Sequence, residues 1–410
     1  MARTAAIFCM PERGHLQRLL AVIAGLRRHE VEPVVFTDAA FRGLVERAGG
    51  RFVNLFERFP IDGADTMSRP VPCRYVTFAA HYAAALLEEV GRLAPQVIVY
   101  DTFSVIAPIL GRSLNVPYVN VCVGHNMSPP RAVASLERDP RVAVSEACHR
   151  AVEALRDRWG LPNASPFSYF TAVSPMLNLY CEPPEFLPPE DRPAFEPIAF
   201  FGSLPPPEVV SPTSGPREEP FGAHNVALRV YASFGTVMWR YYASDAERAL
   251  GAIADALGAR DEARGLISLG GHSLPAEARA RLERQNVRVA DYVDQWSMLQ
   301  DATVFVTHHG LNSTHEAIYH GVPMLSYPFS ANQQGLAARC QDLGLALPLA
   351  RTPRAAIGER DVHAALDQLA DRSAQLRAQL WRAREWEIAV VNGRDQVIRQ
   401  ILAFGGTRGT

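Results

Sequence analysis

Residues 304–318 read VFVTHHGLNSTHEAI, an apolar strand pattern that runs directly into small polar residues and then into a helical pattern. Gly310, Asn312 and Ser313 stand where that helix would begin, so its first backbone N–H groups would point outward and favour an anion. The histidine that ends the strand would supply a further donor. Ser313 and Glu316 also have the spacing of a capping box, which would explain both residues without any ligand. The residues by themselves leave capping and ligand binding open.

Strand and helix patterns alternate along the rest of the chain. In the first half, strands are predicted over 4–10, 33–37, 51–55, 96–100 and 118–123, and helices over 15–29, 39–48, 75–93 and 105–114. In the second half, strands are predicted over 226–234, 265–269, 287–292, 302–307, 324–327 and 346–348, and helices near 243–257, 274–284, 313–320 and 333–342. Strands separated by helices predict an α/β protein of two doubly wound, Rossmann-like domains that face each other across a cleft.

The chain of 410 residues is too long for one ordinary domain, and its amino-acid composition changes near the midpoint. Six prolines fall among small and polar residues between Ser203 and Phe221, which predicts a linker over 203–222. We therefore expect domains over 1–205 and 223–380, with C-terminal helices over 381–410 that pack back on the first domain. Residues 125–200 are more irregular, and residues 358–403 look wholly helical with a break at Asn392-Gly393.

Composition excludes several classes of function. The chain is 48% hydrophobic and 20% charged, as expected of a folded protein, and its net charge of −2 argues against nucleic acid as a partner. It contains no lysine, since all 41 basic residues are arginine, so Schiff-base and P-loop lysines are excluded. There is no apolar run of 18 or more residues and no signal-peptide pattern, which predicts a cytoplasmic protein without an integral membrane segment.

Metal chemistry is not indicated by the sequence. The six cysteines are widely spread and form no C-x-x-C motif. His315 and His320 resemble a zincin motif, but they are five residues apart and diverge by about 140° around a helix. We therefore predict no metal site and no bound cofactor.

The stretch from Val289 to Gly344 resembles the donor-binding signature of the UDP-sugar-dependent glycosyltransferases of the GT-B fold, a family that includes bacterial enzymes of antibiotic and other natural-product biosynthesis. The matching pieces are YVDQ at 292–295, HHGLNSTHE at 308–316 and PFSANQ at 328–333. They occur in the family's order and spacing. The resemblance implies a GT-B fold along the whole chain, with an acceptor-binding N-terminal domain and a donor-binding C-terminal domain.

The resemblance also implies a set of donor-binding residues. Tyr292 would stack on uracil, and Glu316 would accept hydrogen bonds from ribose hydroxyls. Asn332 departs from the family's aspartate, and because an amide both donates and accepts, glucose is not assigned as the donor sugar. The residues implied to bind the diphosphate are His308, Gly310, Asn312 and Ser313, together with Ser233, Gly235 and Thr236. Val293 and Gln295 would contact the base or the ribose. Asn332 and Gln333 would hold the sugar.

The first domain resembles the family in its catalytic histidine and aspartate. His15 opens the first predicted helix after Gly14, where the helix dipole disfavours an imidazolium, and Asp101 follows an apolar strand. By the resemblance, His15 is the general base and Asp101 orients it. Taken alone, His15 would simply cap the helix and Asp101 would be satisfied by backbone N–H groups. We also expect Gly14, Phe103 and His125 to line the acceptor site.

The expected function is an inverting transfer of a hexosyl unit from a nucleotide diphosphate sugar, UDP rather than TDP, to a small-molecule acceptor. The protein would be a monomer or a homodimer. Two alternatives remain open at this point: a nucleotide-sugar epimerase of the same fold, and a non-catalytic helper protein related to these transferases.

Overall fold

Two parallel β-sheets with flanking helices confirm the predicted α/β class. The structure is a computed structural model that describes residues 3–122, 128–209, 221 and 226–406. The chain divides into an N-terminal unit, Met1–Pro212 with Ala389–Thr410, and a C-terminal unit, Thr213–Ile388. Most of the predicted linker over 203–222 lies outside the described residues, and the domain boundaries drawn from composition stay predictions.

The N-terminal unit is built on a seven-stranded sheet of order β3-β2-β1-β4-β5-β6-β7, with every neighbouring pair parallel. Its central strands are almost continuously apolar and buried, as expected when helices cover both faces. The strands are β1 (Arg3–Phe8), β2 (Val31–Thr37), β3 (Arg51–Asn54), β4 (Val97–Asp101), β5 (Tyr118–Cys122), β6 (Asn178–Tyr180) and β7 (Ile198–Phe200).

Helices of several lengths cover this sheet. The α-helices are α1 (Arg13–Arg28), α2 (Arg42–Arg47), α3 (Leu55–Arg58), α4 (Cys73–Leu93), α5 (Ile106–Ser113), α6 (Pro129–Glu137), α7 (Glu146–Asp157) and α8 (Ser168–Thr171), and short 3₁₀ helices lie at Ala39–Phe41, Ile61–Gly63, Pro184–Phe186 and Arg192–Phe195. The longest of them, α4, buries an aromatic and aliphatic face that includes Tyr75, Phe78 and Leu86 in the core.

The C-terminal unit repeats the plan with a six-stranded parallel sheet of order β10-β9-β8-β11-β12-β13. Its strands are β8 (Leu228–Ser233), β9 (Ala263–Ser268), β10 (Val287–Ala290), β11 (Val304–Thr307), β12 (Met324–Ser326) and β13 (Ala346–Pro348). Its helices are α9 (Met238–Gly258), α10 (Ala276–Ala280), α11 (Gln295–Asp301), α12 (Leu311–His320), α13 (Ala331–Asp342) and α14 (Glu359–Asp371), and α15 (Ser373–Gly406) continues into residues that belong to the N-terminal unit.

The predicted helix break at Asn392-Gly393 is wrong. Helix α15 runs through both residues, and the interruption lies instead at Arg372, which ends α14. Buried apolar residues on either side of the glycine, Val390 and Ile398 among them, continue one stripe along α15. The packing of that stripe outweighs the roughly 1 kcal/mol by which glycine disfavours a helix.

Two negative findings apply to the described ranges. Among the helices of residues 3–122, 128–209 and 226–406, none is long and apolar enough to cross a membrane. The same residues contain no group of three or more metal-ligating side chains placed to hold an ion.

A close approach at Gly111 gives a test of the packing of the N-terminal unit. A Cβ atom there would lie 2.4 Å from Cδ1 of Tyr118. We therefore expect Gly111→Ala to lower the free energy of unfolding by about 1–3 kcal/mol, measured by urea denaturation. The matched control is Gly91→Ala in α4, where the nearest atom would be 3.5 Å away, so that the better helix propensity of alanine leaves stability equal or slightly higher. Equal stability of the two variants would contradict the packing described.

Candidate active site

The strand order of the N-terminal unit reverses between β1 and β4, which are neighbours in the sheet. In doubly wound sheets the crevice for ligands opens at the carboxyl ends of the two strands that flank such a reversal. His15 lies in the first turn of α1, directly after β1, and Asp101 is the last residue of β4. The topology alone therefore brings these two side chains to the same crevice.

His15 and Asp101 form a hydrogen-bonded pair. Nδ1 of His15 lies 2.6 Å from Oδ2 of Asp101, with the carboxylate fully buried and the imidazole 14% exposed. The other carboxylate oxygen accepts from the backbone N–H of Met10 at 3.3 Å and from the hydroxyl of Ser104. An ionised carboxylate only accepts, so Nδ1 carries the hydrogen and Nε2 is left as the basic nitrogen.

This geometry excludes one of the two interpretations of His15. Glu12 is the N-cap of α1 and His15 is its third residue, with its ring turned to Asp101. The interpretation of His15 as a helix cap is therefore wrong. Asp101 does accept one backbone N–H, but two side chains share the carboxylate with it.

The predicted acceptor residues fall into two groups. Phe103 packs on the imidazole of His15, with ring centroids 4.2 Å apart, and the carbonyl of Gly14 accepts from Nη1 of Arg18 at 3.2 Å. His125 lies outside the described residues. Sequence reasoning missed Ser104, although a serine three residues after a strand-end aspartate is well placed to turn back to its carboxylate.

In the C-terminal unit the strand order reverses between β8 and β11. The last rung of this sheet is a row of hydroxyl residues, since Ser268, Ser233, Thr307 and Ser326 occupy one register across β9, β8, β11 and β12. All four side chains are buried. The predicted donor-binding segments follow β8 and β11 at this polar edge.

The ring of His308 leaves no room for a side chain at Gly235 or at Gly310. A Cβ atom at Gly235 would come 2.8 Å from its ring, and one at Gly310 would come 2.4 Å from it. Gly235 also has a φ of +70°, and Thr236 beyond it is exposed. The turn after β9 presses on the same loop, because a Cβ at Gly270 would lie 2.3 Å from the carbonyl oxygen of Gly235. Backbone is thus packed tightly against an imidazole at the predicted diphosphate position.

Burial keeps this histidine neutral. Desolvation lowers the pKa of His308 to about 4, opposed only weakly by the nearby backbone of Ser233. Its Nδ1 atom is buried and has no hydrogen-bond partner of good geometry among the described residues. The next residue, His309, is structural: its ring is bonded to Thr314 at 3.1 Å and to Ser326 at 2.8 Å.

The capping-box interpretation of Ser313 and Glu316 is wrong. Gly310 is the N-cap of α12 and provides no side-chain cap, and Ser313 is the third residue of the helix. Both side chains turn instead to Gln295, whose Nε2 donates to Oγ of Ser313 at 3.1 Å and to Oε2 of Glu316 at 2.7 Å. The first-turn N–H groups of α12 thus keep the anion-binding character that the sequence indicates.

Glu316 is the most perturbed acid of this region. Burial raises its pKa to about 7, and the negative charge of Asp294 adds to the effect, whereas the hydrogen bond from Gln295 opposes it. The adjoining loop carries Val293, partly buried, and Tyr292, an aromatic ring that is 55% exposed. The exposed face of Tyr292 and the buried carboxylate of Glu316 fit a planar base and a ribose.

The predicted sugar-binding pair lies in the first turn of α13. Ser330 caps this helix by accepting from the N–H of Gln333. Oε1 of Gln333 accepts from the N–H of Phe329 at 2.8 Å, and its Nε2 lies 3.3 Å from Sδ of Met238. Gln333 therefore braces its own turn, whereas the neighbouring Asn332 is partly exposed.

Two doubly wound units, each with polar residues at its topological reversal, have the architecture of the GT-B fold. Residues 218–375 match the family described as UDP-glucoronosyl and UDP-glucosyl transferase. The oleandomycin glycosyltransferase of Streptomyces antibioticus is 27% identical over 359 residues, which cover 84% of this chain and 79% of that protein. The chain is thus similar to these glycosyltransferases, in sequence over its C-terminal unit and in fold along its length.

Solved structures agree with this fold. The glycotransferase of kitacinnamycin superposes with a TM-score of 0.74 at 21% identity, over 98% of this chain and all of that one. The spinosyn rhamnosyltransferase SpnG, complexed with thymidine diphosphate, gives a TM-score of 0.65 at 19% identity, over 96% of this chain and 99% of that one.

The raised pKa of Glu316 predicts a pH-dependent effect on stability. A pKa above the usual 4.5 means that the folded protein binds this proton more tightly than the unfolded chain, so the contribution is favourable below about pH 4.5 and is lost as pH rises through about 7. We expect Glu316→Gln to gain stability relative to the wild type by up to about 3 kcal/mol between pH 4.5 and pH 7.5, measured by chemical denaturation. Glu277→Gln on α10 is the matched exposed control. A difference for Glu316→Gln that stays constant over this range would show the assignment to be wrong.

Proposed function

We propose that this protein is an inverting glycosyltransferase that moves a hexosyl unit from a UDP-sugar to a hydroxyl group of a small natural product. The observation that carries the proposal is the His15–Asp101 pair, with its 2.6 Å hydrogen bond at the reversal of the first sheet. A natural product as acceptor is supported by relatives that are named for oleandomycin, kitacinnamycin and spinosyn.

In the proposed reaction, Nε2 of His15 accepts the proton of the acceptor hydroxyl. The acceptor oxygen forms its bond to the anomeric carbon as the bond from that carbon to the diphosphate oxygen breaks, with inversion at the carbon. Asp101 stabilises the imidazolium that forms, and Met10 and Ser104 hold the second carboxylate oxygen so that the ring keeps its orientation. Phe103 fixes the ring from its face.

The leaving diphosphate would be stabilised by donors of the C-terminal unit. These are His308, the first-turn N–H groups of α12 from Gly310 to Ser313, and the exposed hydroxyl of Thr236. His308 is neutral at pH 7, because its pKa is lowered to about 4, and a neutral imidazole can donate one hydrogen bond. The proposal assigns this charge stabilisation to protein donors and includes no divalent cation.

The preference for UDP over TDP rests on Glu316. Its carboxylate, already turned toward Gln295, would accept from the 2′-hydroxyl that only a ribonucleotide offers. The structural neighbour SpnG was solved in complex with thymidine diphosphate, so this fold also holds the other nucleotide.

The base assignment is tested by substitution. We expect His15→Ala to lower kcat by about 10²–10⁴, the usual contribution of a general base, while the Kd for UDP stays within about twofold. His149→Ala, at an exposed position on α7, is the matched control and should keep full activity. Transfer that survives His15→Ala would refute the assignment. Consumption of donor in the absence of acceptor would favour the epimerase instead.

The nucleotide assignment is tested by isothermal titration at pH 8 with UDP and 2′-deoxy-UDP, which differ only in the hydroxyl in question. We expect UDP to bind about tenfold more tightly, the net value of one hydrogen bond to a charged group. In Glu316→Gln the acceptor is neutral, so the ratio should fall to about threefold. Equal affinity of the wild type for both nucleotides would remove Glu316 from the ribose site.

A further inference from the structure

A buried ionisable pair lies in the C-terminal unit, and the proposed reaction uses neither member. His315 of α12 and Glu387 of α15 are both fully buried, and Nδ1 of His315 is hydrogen-bonded to Oε1 of Glu387. The second carboxylate oxygen of Glu387 is also buried and has no partner among the described residues. Burying two ionisable groups costs desolvation free energy, so the pair calls for an explanation.

Stability does not supply that reason. Taking a carboxylate and an imidazole out of water is costly, and apolar residues of similar volume generally stabilise a core as well or better. An orphaned carboxylate oxygen adds to the cost. What the pair provides, and apolar packing does not, is a directional hydrogen bond between two helices.

The pair belongs to a two-point contact between α12 and α15. His315 and Tyr319 are four residues apart on α12, and Arg384 and Glu387 are three apart on α15, so each set shares one helix face. The guanidinium of Arg384 lies 4.9 Å from the ring centroid of Tyr319. Two contacts one turn apart fix both the register of α12 against α15 and its rotation about its own axis.

A residue of the predicted donor site, Gln295, contacts the same turns of α12. Gln295 binds Ser313 and Glu316, the residues on either side of His315 in the order of the chain. The N-cap of α12 is Gly310, which has no side chain, so an N-cap hydrogen bond does not orient the first turn. Side-chain hydrogen bonds join α12 to Gln295, to Glu387 and, through Thr314, to the ring of His309.

We propose that His315 and Glu387 are positioning residues that aim the N-terminal turn of α12 at the diphosphate of the donor. The inference rests on the proposed function, in which that turn binds the diphosphate. A shift of about 1 Å in such a turn can weaken its interaction severely, whereas the nucleoside half of the donor, bound elsewhere, keeps its contacts.

The test compares UDP with uridine, which lacks the diphosphate. The double variant His315→Leu/Glu387→Leu removes both polar groups and leaves no unpaired charge. We expect its affinity for UDP, by isothermal titration, to fall about tenfold, while its affinity for uridine stays within about twofold. Donor KM should rise in parallel with kcat nearly unchanged at saturating donor. His315→Asn keeps an N–H donor for Glu387 and should retain UDP affinity within about 1.5-fold.

Leu380→Ala is the matched control, because Leu380 is a fully buried apolar residue of the same stretch of α15. We expect it to lower Tm and to leave the ratio of UDP to uridine affinity unchanged. If the double variant does not fold, Glu387→Gln replaces it, with an expected loss of about threefold for UDP alone.

Two results would overturn the inference: an unchanged ratio of UDP to uridine affinity in the double variant, or an equal change in Leu380→Ala. A wild-type protein that binds UDP no more tightly than uridine would overturn the proposed diphosphate site itself, and the inference with it.

Discussion

The reversal of strand order in each sheet is the constraint on which the site depends. At a reversal, the helices that follow two neighbouring strands leave toward opposite faces of the sheet, and the space between their first turns stays open. In the N-terminal unit this happens between β1 and β4, and in the C-terminal unit between β8 and β11. Every strong candidate for catalysis or diphosphate binding ends or follows one of these four strands. The remaining donor residues lie after β10 and β12, on either side of the second reversal.

Burial at these edges controls charge in a protein that has no lysine. It lowers the pKa of His308 to about 4 and raises that of Glu316 to about 7, so both groups are held toward their neutral forms. A neutral imidazole and backbone N–H groups carry no compact charge that must be stripped of water before a diphosphate binds. Polar groups that the fold holds in place can thus do the work of lysine ammonium groups, which this chain lacks because all its basic residues are arginine.

Most of the fold was readable from sequence because buried parallel strands are short apolar runs flanked by amphipathic helices. The strand predicted over 346–348 is β13 as observed, and the other predicted strands begin or end within a few residues of the observed ones. Strands β6 and β7 escaped prediction because they are three-residue strands within the irregular stretch 125–200, where the strand–helix alternation is lost. The candidate donor-binding loops and His15 could be predicted from residue patterns, but the side chains that contact them could not. That Gln295 binds Glu316, or that Gly310 is required by the ring of His308, depends on contacts between loops that the sequence separates.

Helix α12 shows how such contacts override local rules. Ser313 and Glu316 have the spacing to cap their own helix, and a helix with no other purpose would use them in that way. Here Ser313 lies two positions beyond the start of the helix, and Gln295 takes up both side chains. His315 likewise forms a buried hydrogen bond with Glu387 of α15. All four consecutive polar residues from Ser313 to Glu316 thus serve contacts outside the helix, Thr314 through the ring of His309, and no N-cap side chain covers the N-terminus. A sequence that gives up local capping while keeping every residue needed for it is most simply explained if the open N-terminus is what the fold preserves.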